Sequence, residues 1–205
     1  MDFKDILIRR RAINFFDPER NVDDATVLEI LENAAKAPSS FNLQPWKVIV
    51  FRDHEQKEKL RKLANDQPKV SEAPVVLMIL GDREGWKEGN ETFESYFSNA
   101  MTKDQREWFV NTTKALYGSN EMFSQAFANK NAGLFAMSLM YAASEMGLHT
   151  HPMDGFDHDG IRAAFDIPDN YWIPMLIAVG YAKPGLDIHP KGWRQSPKDI
   201  ILRTY

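Results

Sequence analysis

The stretch Ala37-Pro38-Ser39-Ser40-Phe41-Asn42-Leu43-Gln44-Pro45-Trp46 sets two hydroxyls and two carboxamides between two prolines. The prolines fix their own φ and push the residues before them away from helix, so the segment is stiff. Its four polar side chains donate and accept hydrogen bonds without carrying charge. A rigid loop of this kind suits a flat heteroaromatic ligand whose edge offers both donors and acceptors. The same residues also make an ordinary helix-to-strand turn, and the stretch alone leaves both readings open. A second feature is Arg9-Arg10-Arg11, followed at once by Ala12, Ile13 and Asn14. Guanidinium forks pair with phosphate oxygens and stay charged at any working pH. Cations at a helix end also answer the negative pole of its dipole, so this run has two readings as well. Pro152-Met153-Asp154-Gly155-Phe156-Asp157 carries a proline turn into a glycine, which permits close backbone approach to a ligand. Lys191 and Arg194 lie in a proline-bracketed tail. His149, His151 and His158 are near one another but lack zinc-ligand spacing.

These residues need elements to hold them. Phe3, Ile6 and Leu7 share a helical face that runs into the arginines. Asp23 or Asp24 caps a helix to about Ala37, with Val27, Leu28, Ile30, Leu31, Ala34 and Ala35 at helical spacing. Lys47–Phe51 reads as a buried strand and Glu55–Ala64 as a charged helix; Asn65–Lys69 comes next as a polar loop. Pro74–Leu80 is a near-continuous apolar run, the pattern of a strand covered on both faces. From Arg83 to about Met122 dense charge alternates with aromatics, which predicts one or two amphipathic helices as an excursion between core elements. Phe123–Met146 then reads as a long, largely buried helix stopped by Gly147. Asp157 caps a short helix over Ile161–Phe165, and Trp172–Tyr181 holds another covered strand. The tail Ile200–Tyr205 is strand-like with no partner near it in sequence.

The 205 residues suffice for one well-buried domain, read as 1–205 with the excursion at about 83–122. With 43% hydrophobic and 26% charged residues the composition is that of a soluble globular protein. A formal net charge of −4 makes nucleic acid a poor default partner. The lack of cysteine rules out disulfides and thiolate metal sites and suits a reducing cytosol. The first residues carry acids and no apolar run, unlike a secretory signal, and no stretch reaches the ~20 apolar residues of a membrane helix. A cytoplasmic protein without membrane contact is expected.

Five places together resemble the nitroreductase family of FMN-dependent NAD(P)H oxidoreductases, in the family's order and from Phe3 to the C-terminus. Arg10-Arg11-Ala12-Ile13-Asn14 resembles its N-terminal Arg-Arg-Ser-x-Arg/Lys segment. Residues 37–46 are similar to its most recognisable motif, with Pro38, Ser39, Ser40 and Asn42 at the flavin. Asn65, Gln67 and Lys69 resemble the loop that meets the isoalloxazine ring. Pro152-Met153-Asp154-Gly155-Phe156 matches a Pro-x-x-Gly-Phe turn whose backbone N–H, at Asp154 or Gly155, approaches flavin N5. Lys191 and Arg194 resemble the distal phosphate cations. Two departures stand out: Ala12 replaces a frequent serine, and Asn14 stands where Arg or Lys commonly faces the flavin.

The resemblance implies an α+β fold, with a mixed, mainly antiparallel sheet flanked by helices in an intertwined homodimer. The long helix would be central to that dimer, and Ile200–Tyr205 would pair with the other subunit's sheet. It implies tightly bound FMN at two interfacial sites and NAD(P)H as co-substrate. Hydride would pass through flavin N5 to a nitroaromatic or quinone-type small molecule, with no side-chain nucleophile or base. Phe41, Trp108 and Phe109 are the first candidates for the pocket wall. The alternatives are an FMN sensor or store without turnover, and a relative that dehalogenates substrates or fragments the flavin.

Overall fold

In the computed structural model, residues 2–97, 102–188 and 190–205 are described, those at 96 and 97 by backbone alone. Helix α1 (Phe3–Arg9) is capped by Asp2, whose carboxylate accepts from the Lys4 N–H. Helix α2 (Asp24–Ala34) is capped by Asp23 through the Thr26 N–H and buries Val27, Ile30 and Ala34. A single 3-10 turn, Ser40–Asn42, leads into β1 (Trp46–Phe51). Helix α3 (His54–Leu63) comes next, then a short α4 (Lys69–Glu72). Lys69 therefore opens a helix, where the sequence reads only as a polar loop: Pro68 stands at its N-cap and pre-sets the turn.

Strand β2 (Val75–Asp82) is buried along its whole length. Val76, Met78 and Leu80 enter one core while Val75, Leu77 and Ile79 enter the other, because successive side chains leave opposite faces of a strand. Its apolar run thus serves two layers at once. The excursion contains α5 (Glu91–Phe97) and α6 (Lys103–Tyr117), the second closed by a reciprocal Thr102–Gln105 capping box. Helix α7 (Glu121–Glu145) is capped by Asn120 and ends at Gly147, whose φ of 78° is left-handed. Its small residues face the sheet. A Cβ on Gly81 would lie 3.1 Å from the Ala128 carbonyl oxygen, so a glycine in β2 sets how closely α7 approaches.

Strand β3 (His149–Met153), helix α8 (His158–Ala164) capped by Asp157, and β4 (Tyr171–Gly180) complete the core. The sheet order is β1-β2-β4-β3, antiparallel throughout, with one isolated parallel bridge joining Ala12 to Thr150. Pro152 and Met153 end β3 rather than starting a turn. Polar His149, Thr150 and His151 hide the strand from sequence patterning, and a proline is admissible because β3 is an edge.

The tail departs from its strand-like pattern. Pro197–Ile200 forms α9, boxed by Ser196 and Asp199, and residues 201–205 have no regular structure. Ile201, Leu202 and Tyr205 lie exposed, with Leu202 at 91%. A strand exists only against an edge, and the single chain brings none to this segment.

Candidate functional site

The two ends of the chain meet. Arg10 and Arg11 come directly after α1, Lys191 and Arg194 precede α9, and all four line one cleft of about 270 Å³ with Leu7, Ile8 and Gly192. An Arg11 guanidinium nitrogen donates to the Pro190 carbonyl at 3.0 Å, tying the N-terminal segment to the tail. Among the described residues no carboxylate lines this cleft. Clustered like charges repel one another, so the arrangement suits a multiply charged anion such as a phosphate. Ala12 and Asn14 lie beside it in a smaller groove with Leu186, Asp187 and Ile188.

The second cluster adjoins the first through the Ala12–Thr150 bridge. Asn65 and Gln67, on the α3–α4 connection, both donate to the Gly155 carbonyl, at 3.0 and 3.1 Å. Gln67 also donates to the Ala64 carbonyl and accepts from the Lys69 ammonium at 3.2 Å. The Lys69 ammonium lies 3.4 Å from His151 Nε2, and His151 Nδ1 lies 2.7 Å from the Ile13 carbonyl oxygen. Partial burial lowers the pKa of Lys69 from its ordinary value. Its partners are a carboxamide and an imidazole; no carboxylate pairs with it among the described residues. The chain leaves room for a side chain at Gly155, where a Cβ would meet nothing closer than 3.4 Å. Protein packing therefore does not demand a glycine there.

The 38–42 turn is built differently. Ser40 donates from its backbone N–H and its hydroxyl to Asn131 Oδ1, at 2.9 and 3.3 Å. The Ser39 hydroxyl accepts from the Gln44 N–H, and Gln44 Nε2 donates to the Asn42 carbonyl. Phe41, Asn42 and Gln44 hold positive φ of 53°, 57° and 46°. Such angles are costly for residues with a Cβ, which marks a strained, fixed loop. This turn docks on α7 at Asn131, whereas α1, which leads into Arg10 and Arg11, packs its Phe3 on Tyr141. Ten helical residues separate those points, about 15 Å along the axis.

Of the aromatics proposed as pocket wall, Trp108 is 62% exposed and Phe109 is 4% exposed. Phe109 packs edge-on against Phe41 and Phe93, in a core with Leu43 and Phe127. Its exposure is that of a packing residue, while Phe41 links this core to the turn.

A larger cavity, about 420 Å³, lies at the opposite end of β4, between Arg83, Trp86, Asn120 and Asp169. Its arginine is engaged by Glu121 and the Asp169 carbonyl, so its charge is already neutralised within the chain. His149, His151 and His158 form no metal-holding group with acidic residues among those described. Sequence reading missed Asn131 and His151 as parts of the site. A polar residue in an apolar helix was the available signal for the first; nothing local marks the second.

The model of the nitroreductase family matches residues 7–181. The chain belongs to the nitroreductase family. Among its relatives, MhqN of Bacillus subtilis is 31% identical over 202 residues, covering 98% of either chain. The NADH dehydrogenase of Thermus thermophilus is 32% identical over 193 residues, 92% of this chain and 91% of that one. Solved nitroreductases share the fold. The nitroreductase family protein of Streptococcus pneumoniae superposes with a TM-score of 0.86 at 29% identity, covering 99% of this chain and 100% of that one. A nitroreductase of Exiguobacterium sibiricum, solved in complex with FMN, gives 0.85 at 29% identity over 98% and 96%. The α+β nitroreductase fold with its antiparallel sheet is thereby borne out.

Proposed function

We propose that this protein is an FMN-dependent NAD(P)H oxidoreductase, acting as a homodimer on nitroaromatic or quinone-type acceptors. The observation that carries the reading is the juxtaposition of two groups. Among the described residues, a cleft lined by four cations and no carboxylate adjoins a half-buried Lys69 whose hydrogen-bond partners are a carboxamide and an imidazole. FMN has a phosphate at one end and, at the other, a ring that gains negative charge on reduction, so these residues fit it. A relative solved with FMN and another named NADH dehydrogenase support the same cofactor pair.

When bound, FMN supplies the two-electron chemistry, taking hydride from nicotinamide and returning electrons to an oxidant. The protein's residues bind and tune it. Arg10, Arg11, Lys191 and Arg194 hold the phosphate. Asn65 and Gln67 fix the Gly155 peptide, where the absent side chain leaves space for close approach. Lys69 stabilises negative charge at the pyrimidine edge, a task Asn14 cannot perform with a neutral amide. Ser39, Ser40 and Asn42 border the ring from the other subunit. The 38–42 turn and α1 reach α7 ten residues apart, and the cleft is smaller than the ~300–1,000 Å³ of complete ligand pockets; both support a site shared between two chains.

Arg10→Ala tests the phosphate end. A charge-assisted hydrogen bond is worth roughly 1.5–3 kcal/mol, so FMN should weaken about 10- to 100-fold while riboflavin is unaffected. Equal loss of both ligands would exclude the cleft as phosphate site. Anaerobic bleaching of the bound flavin by NADH or NADPH tests turnover, and a flavin that never bleaches would mark a store or sensor.

A further inference from the structure

His151 belongs to neither the motif residues nor the charged cleft, yet it joins three segments. It lies on the β3 face turned away from α7, paired with Ala178, between the N-terminal strip and α4. The Ile13 carbonyl only accepts, so Nδ1 carries the ring proton. The Lys69 ammonium only donates, so Nε2 offers its lone pair. One proton satisfies both contacts, which makes the ring neutral and fixes a single tautomer. With Gln67 Oε1, His151 gives the Lys69 ammonium two neutral acceptors. A free lysine stem samples many rotamers, and two acceptors confine it.

We propose that His151 is a positioning residue that, tied to the Ile13 carbonyl, holds the Lys69 ammonium beside the Gln67–Gly155 turn and releases it when the imidazole takes up a second proton. The proposal rests on the reading of Lys69 as the cation beside the flavin. The charged group facing His151 from α4 is Lys69; the N-terminal strip presents a carbonyl and β4 presents Ala178. On β3 itself, His149 shares the face and lies near Arg9. Burial lowers the pKa of His151, the bond to Ile13 works against that, and Lys69 lowers it again. The ring is therefore neutral at neutral pH and charges only below the ordinary histidine range. There it becomes a second cation that repels Lys69. The preference for reduced over oxidised FMN should then fall on acidification, relative to a protein whose residue 151 cannot titrate.

The first measurement uses the FMN-free protein. Nitrogen-detected NMR should show the Nδ1–H tautomer at His151, and Lys69→Met should raise its pKa by removing a like charge. An Nε2–H tautomer, or a pKa unmoved by Lys69→Met, overturns the proposal whether or not flavin binds. The second measurement is a spectroelectrochemical titration of the FMN-loaded protein. His151→Ala should reduce the preference for reduced FMN about tenfold, a fall of about 30 mV for a two-electron couple. His151→Gln keeps a donor and an acceptor, so it should match wild type at neutral pH and lose the extra acid-side fall. In a Lys69→Met background, His151→Ala should add nothing; an equal fall with or without Lys69 overturns the pairing. Failure of wild-type protein to take up FMN would instead sink the flavin reading, with tautomer and pKa still deciding the His151–Lys69 contact.

Discussion

Asn131 is the residue on which the 38–42 turn depends. It is fully buried in α7, donates from Nδ2 to the Phe127 carbonyl at 2.8 Å, and accepts twice from Ser40. The amide therefore spends its donor within α7 and its acceptor oxygen on a turn far away in sequence. Asn131→Ala would leave the Ser40 N–H and hydroxyl without their acceptor and open a small void. Truncating a buried partner typically costs about 1–3 kcal/mol. Chemical denaturation should show a loss of that order, and Asn131→Asp, which keeps the acceptor, should not restore stability because it buries a charge. A stability unchanged by Asn131→Ala would mean the turn is held by its prolines alone. His151 and Lys69 belong to the same scale. Their contact is set by three separate backbones, so no local pattern in the sequence announces it.

At the scale of elements, the excursion has two sides. Helix α6 buries Phe109 and Thr113 and turns Trp108 outward. Its charges are partly satisfied within the excursion: Arg106 reaches Glu88 and both oxygens of Glu94, stapling α6 to α5. Exposed ion pairs of this kind are worth little individually, so the aromatic core does most of the holding. Phe109→Ala should therefore destabilise the protein by about 3–5 kcal/mol. Trp108→Ala should change stability by no more than about 0.5 kcal/mol. If α6 forms a wall over the neighbouring subunit's flavin, Trp108→Ala should alter the ranking of quinones against nitroaromatics in steady-state kinetics, with FMN still bound. An unchanged ranking would place the wall elsewhere. Helix α7, about 37 Å long, is the element on which the others converge: the sheet packs on its small residues, α1 on Tyr141 and the 38–42 turn on Asn131.

At the scale of the whole molecule, the single chain leaves Ile200, Ile201, Leu202 and Tyr205 exposed at the end of the segment that delivers Lys191 and Arg194. Apolar exposure of this kind marks an interaction surface, which the proposed dimer would cover. Deleting residues 198–205 keeps all four cleft cations, and a site shared between subunits predicts a shift from dimer toward monomer in analytical ultracentrifugation. FMN affinity should fall with it, because the partner's 38–42 turn is lost. A truncated protein that stays dimeric and holds FMN normally would overturn this assignment. Local periodicity and covalent constraint made much of the fold legible in the amino-acid order. The two-sided apolar run of β2, the capped α2 and α8, the long α7 and its glycine stop can all be read there, because burial pattern and cap chemistry act over a few residues. The motif residues at 10–14, 37–46, 65–69 and 152–156 were legible as a family resemblance. Packing settled the remainder. β3 is a strand only because β4 offers it an edge, since its own histidines and proline carry little strand preference. The cleft exists only because α1 and the tail converge from opposite ends of the chain, and Lys69 meets His151 only through the Ile13 backbone. Those contacts arise between segments distant in sequence, a property that no window of neighbouring residues contains.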